Sequence, residues 1–265
     1  MWDKNIKIYL LICISLLNLH LSAHEVFVIV PGTWSIKESW FKLGGDFFEE
    51  LKKNAQKKCA HVIWFRWLTQ NTEKCREVSA QELAHFLTCF DSNTILHLIT
   101  HSHGTNVALG ACNILAQHKN PKKIKTLISL GAPIYEETYH PNMDSIEKIL
   151  NFYSLNDEIQ TLWAWKRIFK DQPGIHNIQL FLNNHEPTHA EMHHYLIARW
   201  VTYMTNLSIP KKAAIHLFSN KKPLVEKNLH QKEGLENDTP LNLNSLMDWR
   251  HHPIGSHRNR LDNLK

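Results

Sequence analysis

The stretch Thr94–Gly110, TILHLITHSHGTNVALG, decides the reading of this chain. It opens as an apolar run with β-branched residues, breaks at Thr100-His101-Ser102-His103-Gly104, and passes at once into residues that suit a helix. Such a run reads as a strand covered on both faces. A serine on the tight turn between that strand and a helix is lifted clear of the sheet, and the helix N-terminus points at the same place. Ser102 is therefore the candidate nucleophile. The pattern departs from G-x-S-x-G at one end: Thr100 stands at the first glycine position, and Gly104 keeps the second.

Working outward, six short apolar runs recur between helical segments: Glu25–Val30, His61–Phe65, Thr94–Thr100, Ile124–Leu130, Lys148–Tyr153 and Asn177–Leu182. Between them, Asp46–Lys58 sets Phe47, Leu51 and Ala55 on one helical stripe, and Glu73–Phe90 is rich in helix formers. Val107–Gln117 follows the serine turn, and Gln160–Phe169 reads as a further helix. A last helix is expected to start at a capping box, with Thr188 as N-cap and Glu191 three residues on. This alternation predicts an α/β fold: a mostly parallel sheet of about six strands with helices on both faces and ligands at the carboxyl ends of the strands.

A serine hydroxyl needs a base to take its proton and a third group to orient that base. Asp157 follows the fifth run, and the histidine-rich turn NNHEPTHAEMHHY follows the sixth. The order Ser102, Asp157, His189, one residue per strand end, suits a triad. His189 is the expected base, because the cap at Thr188 and the strand upstream fix its place; His185 is the alternative. His193 and His194 read as surface or packing residues. Asp144 is a spare acid, but it precedes its strand. The string His185-Glu186-Pro187-Thr188-His189 is a literal H-E-x-x-H, which binds zinc only on a continuous helix. Pro187 argues against that helix, and no metal is expected there or through cysteine. The developing oxyanion needs backbone donors: the N–H of His103, after the nucleophile, and that of Thr33 in the loop Val30-Pro31-Gly32-Thr33-Trp34, where Gly32 lets the chain turn sharply.

The chain resembles the α/β-hydrolase superfamily, in particular a lipase/esterase-like group with a Gly-Thr-Trp oxyanion loop and an H-S-H-G nucleophile elbow. The matching residues are Gly32-Thr33-Trp34, Trp40 with Gly44-Gly45-Asp46-Phe47-Phe48, Phe65-Arg66-Trp67 with Asn71 and Arg76, and His101-Ser102-His103-Gly104 with Asn106. Similarity is densest over Val26–Leu115. It differs at Pro31, where the group has a loop histidine, and at Thr100. The resemblance implies an α/β-hydrolase fold and an esterase or lipase activity, with Ser102 as nucleophile, the Asp157–His189 pair as charge partner and base, and Thr33 and His103 as oxyanion donors. Trp34 and Trp163 are expected to touch substrate, and Trp163, Trp165 and Phe169 to line an acyl cleft or small lid. The substrate class expected is a lipid or other acyl ester, with no cofactor. Two other readings use the same scaffold: a catalytically inactive binding protein, and an acyltransferase in which another alcohol takes the acyl group.

With 265 residues, 43% of them hydrophobic, the chain can bury one sizeable core. Its start carries Lys4 and Lys7, the apolar run Ile8–Leu19 and Leu21-Ser22-Ala23, which reads as a signal peptide over residues 1–23. An apolar run of about 12 residues falls short of the roughly 20 that span a bilayer; export is expected, with uncleaved anchoring as the alternative. Ile12 before Cys13 does not suit a lipoprotein site. Cys59, Cys75, Cys89 and Cys112 read as disulfide partners or buried thiols, Cys112 as a core residue. Residues 24–209 are expected to form the hydrolase domain. The net charge of +5 comes mainly from residues 210–265, a polar, basic, loosely ordered tail suited to peripheral membrane contact. No nucleic-acid module is visible.

Overall fold

A computed structural model describes residues 24–119, 121–163 and 166–227, apart from the side chains of 161–163 and 227. Eight strands form one sheet: β1 (Glu25–Val30), β2 (His61–Trp64), β3 (Ile95–His101), β4 (Ile124–Leu130), β5 (Ile149–Tyr153), β6 (Ile175–Leu182), β7 (Lys212–Leu217) and β8 (Leu224–Lys227). Their order is β2-β1-β3-β4-β5-β6-β7-β8. Every neighbouring pair is parallel except β7 with β8. The chain lays β2 on one side of β1, returns to β3 on the other, and then proceeds outward. The order reverses at β1 and β3, the position where open parallel sheets bind ligands beyond their carboxyl ends.

Helices cover both faces. They are α1 (Asp46–Gln56), α2 (Glu73–Thr88), α3 (Gly104–Leu115), α4 (Glu158–Trp163) and α5 (Tyr195–Met204). The alternation of β1 explains the two layers: Val26, Val28 and Val30 join the core under α2 and α3, while Phe27 and Ile29 join the core under α1 and α5. All five are essentially inaccessible, and each contributes roughly 2 kcal/mol of apolar burial. Helix α2 is capped by Thr72, whose Oγ1 accepts the Cys75 N–H at 3.2 Å. The amphipathic α1 buries Phe47, Phe48, Leu51 and Ala55. This is an α/β fold, a mostly parallel sheet with helices on both faces, and the serine turn sits at the carboxyl end of β3.

Three local expectations need correction. The sheet has eight strands, not about six, because β7 and β8 lie in residues assigned to the tail. The run Ala213–Leu217 is short and flanked by lysines, so its charge context hid it, and β6 supplies the partner that makes it a strand. The helix after Asp157 is Glu158–Trp163, not Gln160–Phe169; Phe169 is instead buried in the α2/α3 core. The last helix is split. A 3-10 turn, Ala190–His193, precedes α5, and His194 between them is extended (ψ 144°) and caps α5 by accepting the Leu196 N–H on Nδ1 at 3.2 Å. Only half of the capping box forms: Glu191 takes the Thr188 N–H at 2.9 Å, and the Thr188 hydroxyl donates to the same carboxylate at 3.0 Å. The expected signal peptide, Trp165, the side chain of Trp163 and the chain beyond residue 227 lie outside the described residues.

A polar row crosses the sheet beneath the site. Thr100, Ser129, Asn151 and Asn177 sit at matched register positions on β3 to β6. Ser129 donates to Asn151 Oδ1 at 3.1 Å, and Asn151 donates to Asn177 Oδ1 at 3.0 Å. Asn177 also exchanges hydrogen bonds with the backbone of Phe169, and Asn151 donates to the Arg167 carbonyl. The row thereby ties the segment after α4 to the centre of the sheet. All four side chains are buried, so each bond removes an otherwise costly unpaired polar group.

Candidate functional site

Ser102 holds φ at 52°, the left-handed region that a side chain adopts only when its surroundings impose it. Those surroundings are visible. The Ser102 N–H donates to the Leu130 carbonyl at 2.9 Å, and the Thr105 N–H donates back to the Ser102 carbonyl at 3.0 Å. Gly104 packs so closely on β1 that an added Cβ would lie 2.4 Å from the Val30 carbonyl oxygen and 2.5 Å from that of Pro31. Gly32 is the matching contact from the other loop, where a Cβ would meet the Ser102 Cβ at 2.9 Å. Thr100 fits without the missing glycine because its hydroxyl pairs with Thr105 Oγ1 at 2.7 Å and reaches the Ile128 carbonyl at 3.1 Å.

Asp157 and His189 come together, although 32 residues separate them. The Nδ1–H of His189 donates to Asp157 Oδ2 at 2.8 Å, with Oδ1 at 3.0 Å. Asp157 is fully buried, and its Oδ1 also accepts the Gln160 N–H at 2.9 Å. The pair has room because Gly131, at the end of β4 with φ 59°, has no side chain: a Cβ there would stand 2.8 Å from Asp157 Oδ2. His185 is directed elsewhere, pairing with Glu191 at 3.4 Å on a half-exposed side chain. The H-E-x-x-H string runs through a bridge residue, coil and turn, not a helix. Asp144 is exposed ahead of β5.

Ser102, His103, Thr33, Asp157 and His189 all follow the carboxyl ends of parallel strands, namely β3, β1, β5 and β6. The N–H groups of Thr33 and His103 engage no partner among the described residues, whereas that of Trp34 is taken by the Thr69 carbonyl at 2.7 Å. The Ser102 hydroxyl likewise engages no hydrogen-bond partner among the described residues. Trp34 is 70% exposed. The four cysteines among the described residues are free thiols, Cys75 and Cys112 buried and Cys59 and Cys89 exposed; burial pushes the Cys112 thiol up to about 12.

Sequence reasoning missed the residues that hold the pair in place. Glu186 joins the two loops: it accepts the Leu155 N–H at 2.5 Å and the Gln179 amide at 2.9 Å, while its carbonyl accepts from Asn156 at 3.1 Å. Glu158 accepts the His189 N–H at 3.3 Å. His101 lies under the base, its Nε2–H donating to the His189 carbonyl at 3.2 Å and its ring 4.7 Å from the His189 ring. A glycine directly after an apolar strand was the one available signal, for Gly131; Glu186 and His101 stand in the H-E-x-x-H and H-S-H-G motifs, but nothing local gives either a role in bracing the pair.

The surrounding imidazoles are held neutral. Complete burial, with His189 and His193 adjacent, keeps His101 well below the usual histidine range. Burial, then the nearby Arg76 and His189, pushes His103 down to about 4. Burial likewise brings His193 to about 4, on a ring stacked 4.5 Å from Trp40. The unfolded chain protonates these rings near 6.5, so below that value it binds more protons than the folded chain. Their share of stability is therefore full above pH 6.5 and is lost as pH falls toward 4, by at most roughly 3 kcal/mol for each ring brought to about 4. Urea midpoints measured at pH 7.5, 5.5 and 4.5 are expected to fall steadily. A midpoint constant down to pH 4.5 would contradict the burial of these rings.

No protein-family model and no curated protein matches the chain. Among solved structures it is similar to lipase B of Aspergillus fumigatus, at 11% identity and a TM-score of 0.31, over 63% of this chain and 39% of that one. It is also similar to the metagenomic carboxyl esterase MGS0156, at 11% identity and 0.31, over 74% and 49%. A third is the RedJ thioesterase of the prodiginine pathway in Streptomyces coelicolor, at 13% identity and 0.33, over 75% and 82%. The matched part of this chain thus spans less than half the length of the lipase and of the esterase.

Proposed function

We propose that this chain is a serine hydrolase that cleaves carboxylic esters, of lipid or other acyl type, through Ser102, His189 and Asp157. The observation that carries this reading is the pairing of a buried Asp157 with His189 at 2.8 Å, at the same sheet edge where Ser102 is held at φ 52°. In the proposed cycle His189 Nε2 takes the Ser102 proton as the oxygen attacks the ester carbonyl. The N–H groups of Thr33 and His103 stabilise the oxyanion, and protonated His189 returns its proton to the leaving alcohol. Water activated by the same ring then cleaves the acyl-enzyme. Asp157 stabilises the imidazolium and fixes its tautomer. The open Ser102 hydroxyl is compatible with this cycle, since such contacts often tighten only when substrate binds.

A fluorophosphonate probe tests the reading. Stoichiometric labelling of the folded chain, abolished by Ser102→Ala, is expected. Absence of labelling on folded protein would support a binding protein on a hydrolase scaffold. Product analysis with added alcohols separates hydrolysis from acyl transfer. Export and membrane contact through the basic C-terminal residues are further proposals of the same reading, checked by fractionating cells that express the full chain.

A further inference from the structure

Half of the large apolar side chains exposed among the described residues, five of ten, lie in two short loops: Trp34, Ile36 and Leu43 after β1, and Trp64 and Leu68 at and after β2. Trp34, Leu43 and Leu68 are 70%, 68% and 62% exposed. The two loops lie against each other, with Leu68 between Trp67 and Thr69. The Trp34 N–H bond to the Thr69 carbonyl joins the loops at one end. In the middle, Ile36 and Trp64 line a hollow of about 300 Å³ floored by Phe41 and Trp67. At the other end, Leu43 and Trp64 border a second cavity of about 780 Å³. A contiguous apolar surface of this kind on a water-facing loop pair marks a contact site.

The charges in these loops are mainly positive. Lys37 and Arg66 are exposed. Lys42 lines the hollow with its ammonium 4.8 Å over the Phe41 ring. Glu38, the one acid between residues 34 and 43 or 64 and 69, is engaged by the Trp40 indole N–H at 2.8 Å. Tryptophan and aliphatic side chains fringed by cations suit the boundary of an anionic bilayer, where the rings enter the headgroup layer and the cations meet phosphate. Trp34 is held outward in a left-handed conformation, φ 58°, by its backbone bond to Thr69.

We propose that the loops at the carboxyl ends of β1 and β2 are a docking face for an anionic lipid surface. Trp34 adjoins Thr33, so docking would present the Ser102 site to ester bonds in that surface; this purpose rests on the ester-hydrolase reading, while the binding itself does not.

Flotation of the full chain tests it, with Ser102→Ala as the background so that no lipid is consumed. The vesicles are phosphatidylcholine alone or with about 30 mol% phosphatidylglycerol. The chain is expected to float with the anionic vesicles and to lose about tenfold in partitioning on neutral vesicles or in about 0.5 M salt. The double variant Ile36→Ser/Leu68→Ser is expected to lose about tenfold or more. With Ser102 restored, that variant is expected to hydrolyse a water-soluble acetate ester within about twofold of the parent, since neither side chain is in the proposed machinery. Lys37→Glu/Arg66→Glu is expected to abolish the anionic preference. The proposal is overturned if the chain floats with neither vesicle, or if flotation is unchanged in both variants, which would place binding elsewhere, such as on the basic C-terminal residues. A lipid-independent dimer that Ile36→Ser/Leu68→Ser dissociates, seen by light scattering, would assign the face to a second copy and overturn it too. Intact flotation without ester hydrolysis would sink the hydrolase reading alone.

Discussion

Asp157→Asn is expected to lower kcat by about 10³ to 10⁴ and leave KM within a few-fold. The two carboxylate oxygens of Asp157 have different partners. Oδ1 accepts the Gln160 N–H at 2.9 Å, so that position must stay an acceptor. The new amide NH₂ is then forced into the place of Oδ2, 2.8 Å from His189 Nδ1. Two donors cannot face each other there, so His189 moves its proton to Nε2, the nitrogen that has to accept from Ser102. The fold is not at risk, because asparagine has the same shape and keeps the Gln160 bond. Steady-state kinetics beside a thermal melt distinguish the outcomes: activity within tenfold of the parent, in a chain that melts normally, would remove Asp157 from the proposed triad. The fluorophosphonate labelling rate is expected to fall in parallel, since attack by Ser102 needs the same base.

Gly104→Ala is expected to destabilise the chain by about 3 kcal/mol, a large part of the 5–15 kcal/mol that holds a typical domain together. The new methyl would stand 2.4 Å from the Val30 carbonyl oxygen, 2.5 Å from that of Pro31 and 3.1 Å from the Pro31 carbonyl carbon. All three are backbone atoms, with no rotamer to relieve the contact. Relief requires the start of α3 to lift off the end of β1. That movement separates His103 from Thr33, the two proposed oxyanion donors, so activity is expected to fall beyond the loss of folded protein. Urea unfolding read beside kcat checks both parts, and an unchanged midpoint would mean that α3 and β1 are further apart than described.

Much of this was legible along the chain. The periods of β1 to β6, the serine turn at Ser102 and the positions of Asp157 and His189 after their strands are local patterns, and each reappears in the structure within a few residues. The misreadings were equally local in cause. The lysines around Ala213–Leu217 masked a strand that exists because β6 pairs with it. The capping box at Thr188 looked like the start of one helix, but His194 turns the chain before α5 begins. Thr100 stands where the elbow pattern has its first glycine, yet its hydroxyl belongs to a buried pair with Thr105 that no spacing announces.

The amino-acid order by itself determined the approximate places of β1 to β6 and of α1 to α3, and which polar side chains end up at strand termini, because those outcomes follow from hydrophobic period and from neighbours a few positions away. Only the tertiary structure decided that His189 and not His185 meets Asp157, that Gly131 leaves room for the pair, that His101 and Glu186 brace it, and that two loops 20 or more residues apart build one apolar face. The physical reason is that these contacts join strand ends remote in sequence. They arise from the order in which β1 to β6 lie side by side, and no local rule of propensity or charge encodes that order.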